Sequence, residues 1–143
     1  MECMFPGSSQ VLRRFVVDVV EIAPGSAISV AGIEVTAWKA EHPSGAPPLV
    51  LRLALDGRVI AYTGDTAWTD SIIEAAAGAD LLIAEAYYRD KDVPYHLRLT
   101  DLRAHRAALT SERIVLTHMS DDMLAADVRP GYRSASDGMT LRI

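Results

Sequence analysis

The sequence predicts an α/β (α+β) fold in which helices cover one face of a mixed sheet. Two observations indicate this class. The first half contains short β-branched runs separated by turn residues, whereas the second half alternates strand, helix, strand, helix and strand. Half of the 143 residues are hydrophobic, and no repeat or linker divides the chain. We therefore expect one domain over residues 1–143, with right-handed crossovers between its later strands.

The N-terminal part of the chain predicts three strands. A turn signal at residues 6–9 precedes residues 15–22, which read FVVDVVEI and have the composition of a strand. Pro24-Gly25 ends this run, and Ala27–Val30 and Ile33–Lys39 then form two strands around a turn at Gly32. In the second of these, apolar and polar residues alternate, which predicts one buried face.

A hairpin follows and sets the position of two polar residues. Leu49–Leu55 and residues 58–63 are strand-like and are separated by Asp56-Gly57, a dipeptide that tolerates positive φ in tight turns. The outer ends of a hairpin point in the same direction. The loop with His42 and the turn with Asp65 should therefore lie at the same end of the sheet.

The second half predicts two helices and up to three strands. Gly78 ends the first helix, and Thr100 can cap the second. The strands between and after them are continuous apolar runs, as expected of strands that are buried on both faces. The predicted helices are residues 71–78 and 100–109, and the predicted strands are residues 79–84, 113–116 and a final edge strand at 138–143.

Charge and cysteine content exclude several classes of function. The formal net charge of −5 argues against a broad nucleic-acid-binding face. Cys3 is the only cysteine, so the chain can form neither an intrachain disulfide nor a thiolate zinc cluster. No apolar run approaches the roughly 20 residues that cross a bilayer, and no signal peptide is evident. We expect a cytoplasmic protein with no membrane partner.

Polar side chains of metal-ligand type recur where the predicted strands end. His42, Asp65 and His118 follow three different strands, while Glu85 ends another and His96 follows the next loop. Imidazole and carboxylate oxygen are the ligands that zinc prefers when thiolates are absent. Each residue also has a simpler explanation. A lone histidine is usually a solvated side chain, and Asp65 could serve merely as the N-cap of the helix that begins near residue 69.

Four motifs in this region resemble the C-terminal half of metallo-β-lactamase-fold hydrolases, in particular the ribonuclease Z branch. They are AYTGDT at 61–66, LLIAEA at 81–86, HLRLTD at 96–101 and IVLTHMS at 114–120, and the likeness extends from Ile33 to Ser120. The resemblance implies one half of an αββα sandwich.

The resemblance also implies roles for five residues around two zinc ions. Asp65 would bridge the two ions, His42 would bind one of them and His118 the other. Glu85 would orient His96, and His96 would protonate the leaving oxygen. A small phosphodiester or an RNA would be the substrate.

One departure from the family pattern changes these expectations. The HxHxDH motif, which supplies four ligands and the base in the family, is absent, and the first histidine of the chain is His42. The resemblance then implies a partial domain, the second half of a truncated sandwich. Such a chain would bind at most one zinc weakly and would have little or no activity alone. Its sheet would expose an apolar face that needs cover from a second chain or from self-association.

Three functional hypotheses therefore remain open at this stage. The chain could be an incomplete metal-dependent hydrolase, most simply a phosphodiesterase. It could be the same fold completed by a partner that donates HxHxDH. It could also be a non-catalytic module in which the polar strand ends are inherited but unused.

Overall fold

A computed structural model describes residue 12 and residues 14–143, so the turn predicted at residues 6–9 lies outside the described residues. In chain order the described elements are β1 (Ala27–Val30), β2 (Ile33–Lys39), β3 (Leu49–Leu55), β4 (Arg58–Tyr62), α1 (Ser71–Ala76), β5 (Leu81–Glu85), α2 (Leu99–Ala104), β6 (Arg113–Thr117), α3 (Asp121–Leu124) and β7 (Arg133–Ser134). The seven strands form one mixed sheet in the order β1 to β7. Strands β1 to β4 pair antiparallel, and β4 to β7 pair parallel.

The predicted hairpin is confirmed. β3 pairs with β4 from Leu55 opposite Arg58 onwards. Asp56 and Gly57 connect them with φ values of 50° and 76°, the left-handed conformation that this dipeptide tolerates. The bounds predicted for β1, β2 and β3 are also those of the structure.

Two predicted strands are wrong. Residues 15–22 contain no strand, and Val16 and Val19 are 85% and 74% exposed. Composition alone cannot make a strand, because its backbone must also find a hydrogen-bonding partner. Residues 138–143 are likewise not the edge strand. Arg133–Ser134 takes that position beside β6, and a turn closed by the Met139 N–H and the Ser136 carbonyl follows.

Both predicted helices are shorter than expected. α1 ends at Ala76 rather than Gly78, and α2 ends at Ala104 because turns close the chain from His105 to Leu109. α2 also begins earlier than predicted. The Arg98 N–H and guanidinium donate to the Asp101 carboxylate, so this pair, rather than Thr100, forms the N-terminal cap.

The three helices share one core with a single face of the sheet. The Arg52 guanidinium crosses from β3 to α1, where it donates to the Ala75 and Ala77 carbonyls at 2.7 and 2.8 Å. This bond identifies the face that α1 covers. The buried cluster on it includes Val50, Ala61, Leu82, Ala84, Ile114 and Leu116 from the strands, with Ile72, Leu99, Leu102 and Met123 from the helices. Among the described residues, no helix is long and apolar enough to cross a membrane.

Candidate metal centre

Four of the polar residues at the strand ends come together in the structure. Asp65 follows β4, Glu85 ends β5, His96 lies in the loop before α2, and His118 follows β6. One ligand atom from each residue lies within 4.8 Å of the others. The parallel arrangement of β4, β5 and β6 causes this grouping, because the carboxyl ends of parallel strands meet at one edge.

The turn that carries Asp65 is fixed by tight backbone packing. Gly64 has φ of +61°, and a Cβ there would lie 3.1 Å from the Leu49 carbonyl oxygen, so a side chain would strain this turn. The next residue but one, Thr66, is buried and accepts a bond from the Glu41 N–H at 2.9 Å through its hydroxyl. These contacts hold Asp65 at the rim, where its side chain is 42% exposed.

Glu85 is the buried centre of the group, with a side chain that is only 1% exposed. Its Oε2 accepts the Thr66 N–H at 2.9 Å and the Leu97 N–H at 3.2 Å. Its Oε1 accepts the Nδ1–H of His118 at 2.8 Å and also contacts Nδ1 of His96. A buried carboxylate is tolerated when its lone pairs are satisfied in this way. Glu85 therefore orients both imidazoles from one point.

His96 and His118 contact Glu85 through Nδ1 and not through Nε2. Because both rings use Nδ1 for the carboxylate, Nε2 of each neutral ring has a lone pair for a ligand. His118 has a φ of 51°, a strained value for a residue with a β-carbon, and Nδ1 lies 3.4 Å from Oδ1 of Asp65. The strained backbone conformation at His118 thus places its imidazole beside the carboxylates of Asp65 and Glu85.

Tyr87 packs against both rings and was not predicted as a site residue. Its ring stacks on His118 with centroids 5.2 Å apart and lies 4.7 Å from the His96 ring. The sequence offered one signal, its position two residues after Glu85 in AEAYY, but tyrosine there fits a core or rim residue equally well.

The carboxylates of the site also affect the pKa of Tyr62 at the end of β4. Partial burial raises this pKa above its usual value, and the negative charges of Asp65 and Glu85 raise it further. The carboxylates of Asp65 and Glu85 thus place negative charge at this end of the sheet, which favours a cation.

His42 is beside the group but is not a member of it. The predicted proximity of its loop to the Asp65 turn is confirmed, since the Ala67 N–H donates to the Glu41 carbonyl at 3.0 Å. The His42 ring packs edge-on against His96, with centroids 5.2 Å apart. His105 is exposed and stacks on Trp68, with ring centroids 3.9 Å apart.

The types of donor in this group fit a divalent cation. Two imidazoles and two carboxylates match the nitrogen and oxygen ligands of zinc. The four residues thus comprise a candidate metal-binding group.

Comparison with known proteins shows the class to which this fold and site belong. The beta-lactamase superfamily domain matches residues 5–119, so the chain belongs to this family. The chain is 35% identical over 103 residues to ribonuclease Z of Bradyrhizobium diazoefficiens, a match that covers 64% of this chain and 34% of that protein.

Two solved structures show the same fold. A diphosphatase from the PhnP family matches with a TM-score of 0.69 and 22% identity, over 85% of this chain and 47% of its own. Zn(2+)-bound PqqB from Methylobacterium extorquens matches with a TM-score of 0.60 and 19% identity, over 85% of this chain and 51% of its own. The chain thus spans about a third of the ribonuclease Z and about half of each of these structures.

Proposed function

We propose that this chain carries part of the metal centre of a phosphodiester hydrolase similar to ribonuclease Z, and that zinc is its metal. The observation that carries the proposal is the position of Glu85, which holds His96 and His118 by their Nδ1 atoms beside Asp65. Likeness to ribonuclease Z and to a diphosphatase supports phosphodiester chemistry over the other hydrolyses that such a site could perform.

Asp65 and His118 are the residues that would hold the metal. Their side chains are 42% and 43% exposed, so a cation could reach both from solvent. His42 is the third proposed ligand, and its ring would have to turn away from His96 to contribute. A zinc ion bound here would supply Lewis acidity towards a phosphoryl oxygen and lower the pKa of its water.

His96 is the proposed proton donor to the leaving oxygen. Its side chain is 19% exposed, which is enough for a substrate atom to approach Nε2. Glu85 contacts Nδ1 and so fixes the orientation of the ring, as carboxylates do in other acid–base pairs. Glu85 is thus a positioning residue, whereas His96 would touch the substrate.

The chain alone should have little or no hydrolase activity. Its described donors suffice for at most one weakly bound zinc ion, and His42 lies outside the group that the other residues form. A single, exposed cation stabilises one of the reacting oxygens, whereas a two-metal site holds both the attacking and leaving oxygens.

Zinc content and turnover together test this proposal. We expect purified chain dialysed against zinc to retain up to one ion, and Asp65→Ala to retain less. Asp70→Ala is the matched control, because Asp70 is exposed and makes no side-chain bond to α1. Absence of zinc from the wild type would favour a non-catalytic module. Turnover of bis-p-nitrophenyl phosphate that Asp65→Ala abolishes would contradict the low activity proposed for the chain alone.

A second candidate is the same centre completed by a partner that donates HxHxDH. The observation that favours it is the exposure of Asp65 and His118, which face solvent rather than further protein. Mixing the chain with a polypeptide that carries this motif should then produce phosphodiester turnover that neither shows alone. Failure of the mixture, with zinc bound to the chain, would exclude this candidate.

A further inference from the structure

The turn before His96 has an unusual residue at its strained position. The His96 N–H donates to the Val93 carbonyl at 3.2 Å, so residues 93–96 form a β-turn. Tyr95, the third residue of this turn, has a φ of +67°, whereas Pro94, the second, is restricted to negative φ. This combination defines a type II turn, whose third position is ordinarily glycine or asparagine.

The turn alone does not account for a tyrosine at this position. A residue with a β-carbon is strained at a φ of +67°, whereas glycine would form the same turn without that cost. Packing does not account for it either, because Tyr95 is 51% exposed and its ring centroid lies 6.5 Å from that of His42. Strained residues of this kind cluster at binding and active sites, so Tyr95 is a candidate for a functional role.

Tyr95 forms one wall of a small cavity beside the candidate metal centre, which we call the Tyr95 cavity. Its volume is about 290 Å³, and the other residues that line it are Lys39, Ala40, Glu41, His42, Pro43 and Pro48. Lys39 and Glu41 pair with each other at 3.3 Å, so this pair adds no net charge to the cavity. Apolar walls with one aromatic ring suit a flat, uncharged group better than a phosphate.

His42 connects the Tyr95 cavity to the proposed proton donor. Its ring lines the cavity and also packs against the His96 ring, with centroids 5.2 Å apart. Tyr95 and His96 are moreover consecutive in the chain. A substrate whose leaving oxygen lies at His96 would therefore have the group bonded to that oxygen within reach of the Tyr95 ring.

An exposed aromatic ring that the backbone holds in place is well suited to stacking. Every nucleobase has a flat π-face, and stacking one base on an aromatic side chain strengthens binding by about five- to 150-fold. Pro94 and the hydrogen bond across the turn restrict the backbone of Tyr95 before any ligand arrives. Less conformational freedom is then lost on binding, which favours affinity.

We propose that Tyr95 is the residue that determines substrate specificity at this site, by stacking on the base of the nucleotide that bears the leaving oxygen. The base lies in the Tyr95 cavity, while the phosphate lies at Asp65 and His118. This inference rests on the function proposed above and assigns the recognition of the base to one side chain.

Binding of two probes to the full chain, with zinc present, tests the proposal. Adenosine 5′-monophosphate has a base, whereas ribose 5-phosphate has the same sugar and phosphate without one. We expect the wild type to bind adenosine 5′-monophosphate at least about fivefold more tightly than ribose 5-phosphate, by chemical-shift titration. Tyr95→Gly should bind the two probes equally. Tyr95→Phe keeps the ring and should keep the preference.

The glycine variant separates stacking from folding. Glycine adopts a φ of +67° without steric cost, so Tyr95→Gly should not lower the urea midpoint of unfolding. Ala31→Gly is the matched control, because Ala31 is an exposed residue with a φ of +52° in the turn between β1 and β2. This turn lies at the end of the sheet opposite Asp65, and the variant should keep the preference.

Equal affinity of the wild type for both probes, or no measurable binding of either, would overturn the proposal. So would a preference that survives in Tyr95→Gly or is lost in Tyr95→Phe. Zinc content separates this inference from the function on which it rests. A chain that retains zinc but shows no preference would overturn only the role of Tyr95. A preference in a chain that retains no zinc would support stacking on Tyr95 and contradict the zinc centre.

Discussion

The two faces of this sheet differ in cover far more than in composition. On the helix side, strand residues such as Val50, Ala61 and Leu82 are fully buried by three short helices. On the opposite side of β2, β3 and β4 lies a surface that we call the bare face, formed by Val35, Leu51, Leu53, Leu55, Ile60 and Tyr62. Its side chains are partly exposed, and Leu55 and Tyr62 reach 46% and 38%. The sequence LVLRLAL of β3 is apolar on both faces apart from Arg52, which is the pattern of a strand buried on both sides, and the described chain covers one of these sides. The candidate metal centre lies at the edge where these faces meet.

The largest expected effect is a loss of stability on the helix side. Leu82→Ala should lower the free energy of unfolding by about 2–5 kcal/mol, because a fully buried leucine leaves a cavity. Leu53→Ala, on the bare face, should cost less than half as much, because Leu53 is already partly exposed. Urea unfolding followed by circular dichroism measures both. Equal losses in dilute solution would show that something already covers the bare face.

The next largest effect is expected at the candidate metal centre, from a substitution of Glu85. Glu85→Gln keeps the shape of the side chain but replaces one of the two carboxylate oxygens with an amide group that donates. Each oxygen takes part in two of the four contacts of Glu85, so the groups that donate to the replaced oxygen lose their acceptor. We expect a loss of about 1–3 kcal/mol in stability and a 10–100-fold weaker zinc affinity, because the imidazoles lose their orienting carboxylate. Calorimetric zinc titration measures the second quantity.

Glu74→Gln on α1 is the matched control for that change. Glu74 is exposed, and this variant should leave both values unchanged. If Glu85→Gln bound zinc as tightly as the wild type, Glu85 would have no role in orienting the two rings.

Much of this architecture could be predicted from the sequence, and the failures have physical causes. The hairpin at Asp56-Gly57 was predictable because local backbone preferences determine a tight turn. The strand expected at residues 15–22 was not, because strand formation depends on a distant edge that local composition does not reveal. β7 was missed for the converse reason: Arg133–Ser134 is a strand only because β6 offers it an edge.

The residues of the candidate site also fall into those whose grouping the sequence could predict and one, His42, whose position it could not. Asp65, Glu85 and His118 could be selected because each follows or ends a strand, and parallel pairing gathers such positions. His96 lies in the loop before α2 and could be selected from the family resemblance of HLRLTD. The relation of His42 to them depends on loop packing, which places its ring against His96 rather than beside Asp65. Whether His42 binds metal remains a prediction.

A smaller effect should follow from the removal of the Tyr87 ring. Tyr87→Ala removes the surface on which His118 stacks and which His96 also contacts, and each such ring contact contributes about 0.5–1.5 kcal/mol. We expect zinc to bind about three- to tenfold more weakly, by calorimetric titration. Tyr87→Phe keeps the ring and should bind zinc normally. If Tyr87→Phe weakened zinc binding as much as Tyr87→Ala, the hydroxyl rather than the ring would support the site. If both variants bound zinc normally, Tyr87 would have no role in zinc binding.

The smallest effect tests how the helix side supports the site. Asp101 caps α2 by accepting from the N–H and guanidinium of Arg98, next to the Leu97 N–H that donates to Glu85. Burial opposes ionisation of Asp101, but the bonds from Arg98 outweigh it and hold the pKa below its usual value. Asp101→Asn should cost about 0.5–1 kcal/mol of unfolding free energy at neutral pH.

The stability difference between wild type and Asp101→Asn should depend on pH, because the pKa of Asp101 is lowered in the folded state. A carboxyl group whose pKa is lower in the folded state stabilises the fold above its unfolded pKa of about 3.9, and the contribution is lost as pH falls through the folded pKa. The difference in urea midpoint between wild type and Asp101→Asn should therefore be constant near neutrality and shrink below about pH 4. A difference that persisted unchanged into strong acid would mean that Asp101 acts through shape alone, and that the charge of Arg98 adds nothing to the loop that holds His96.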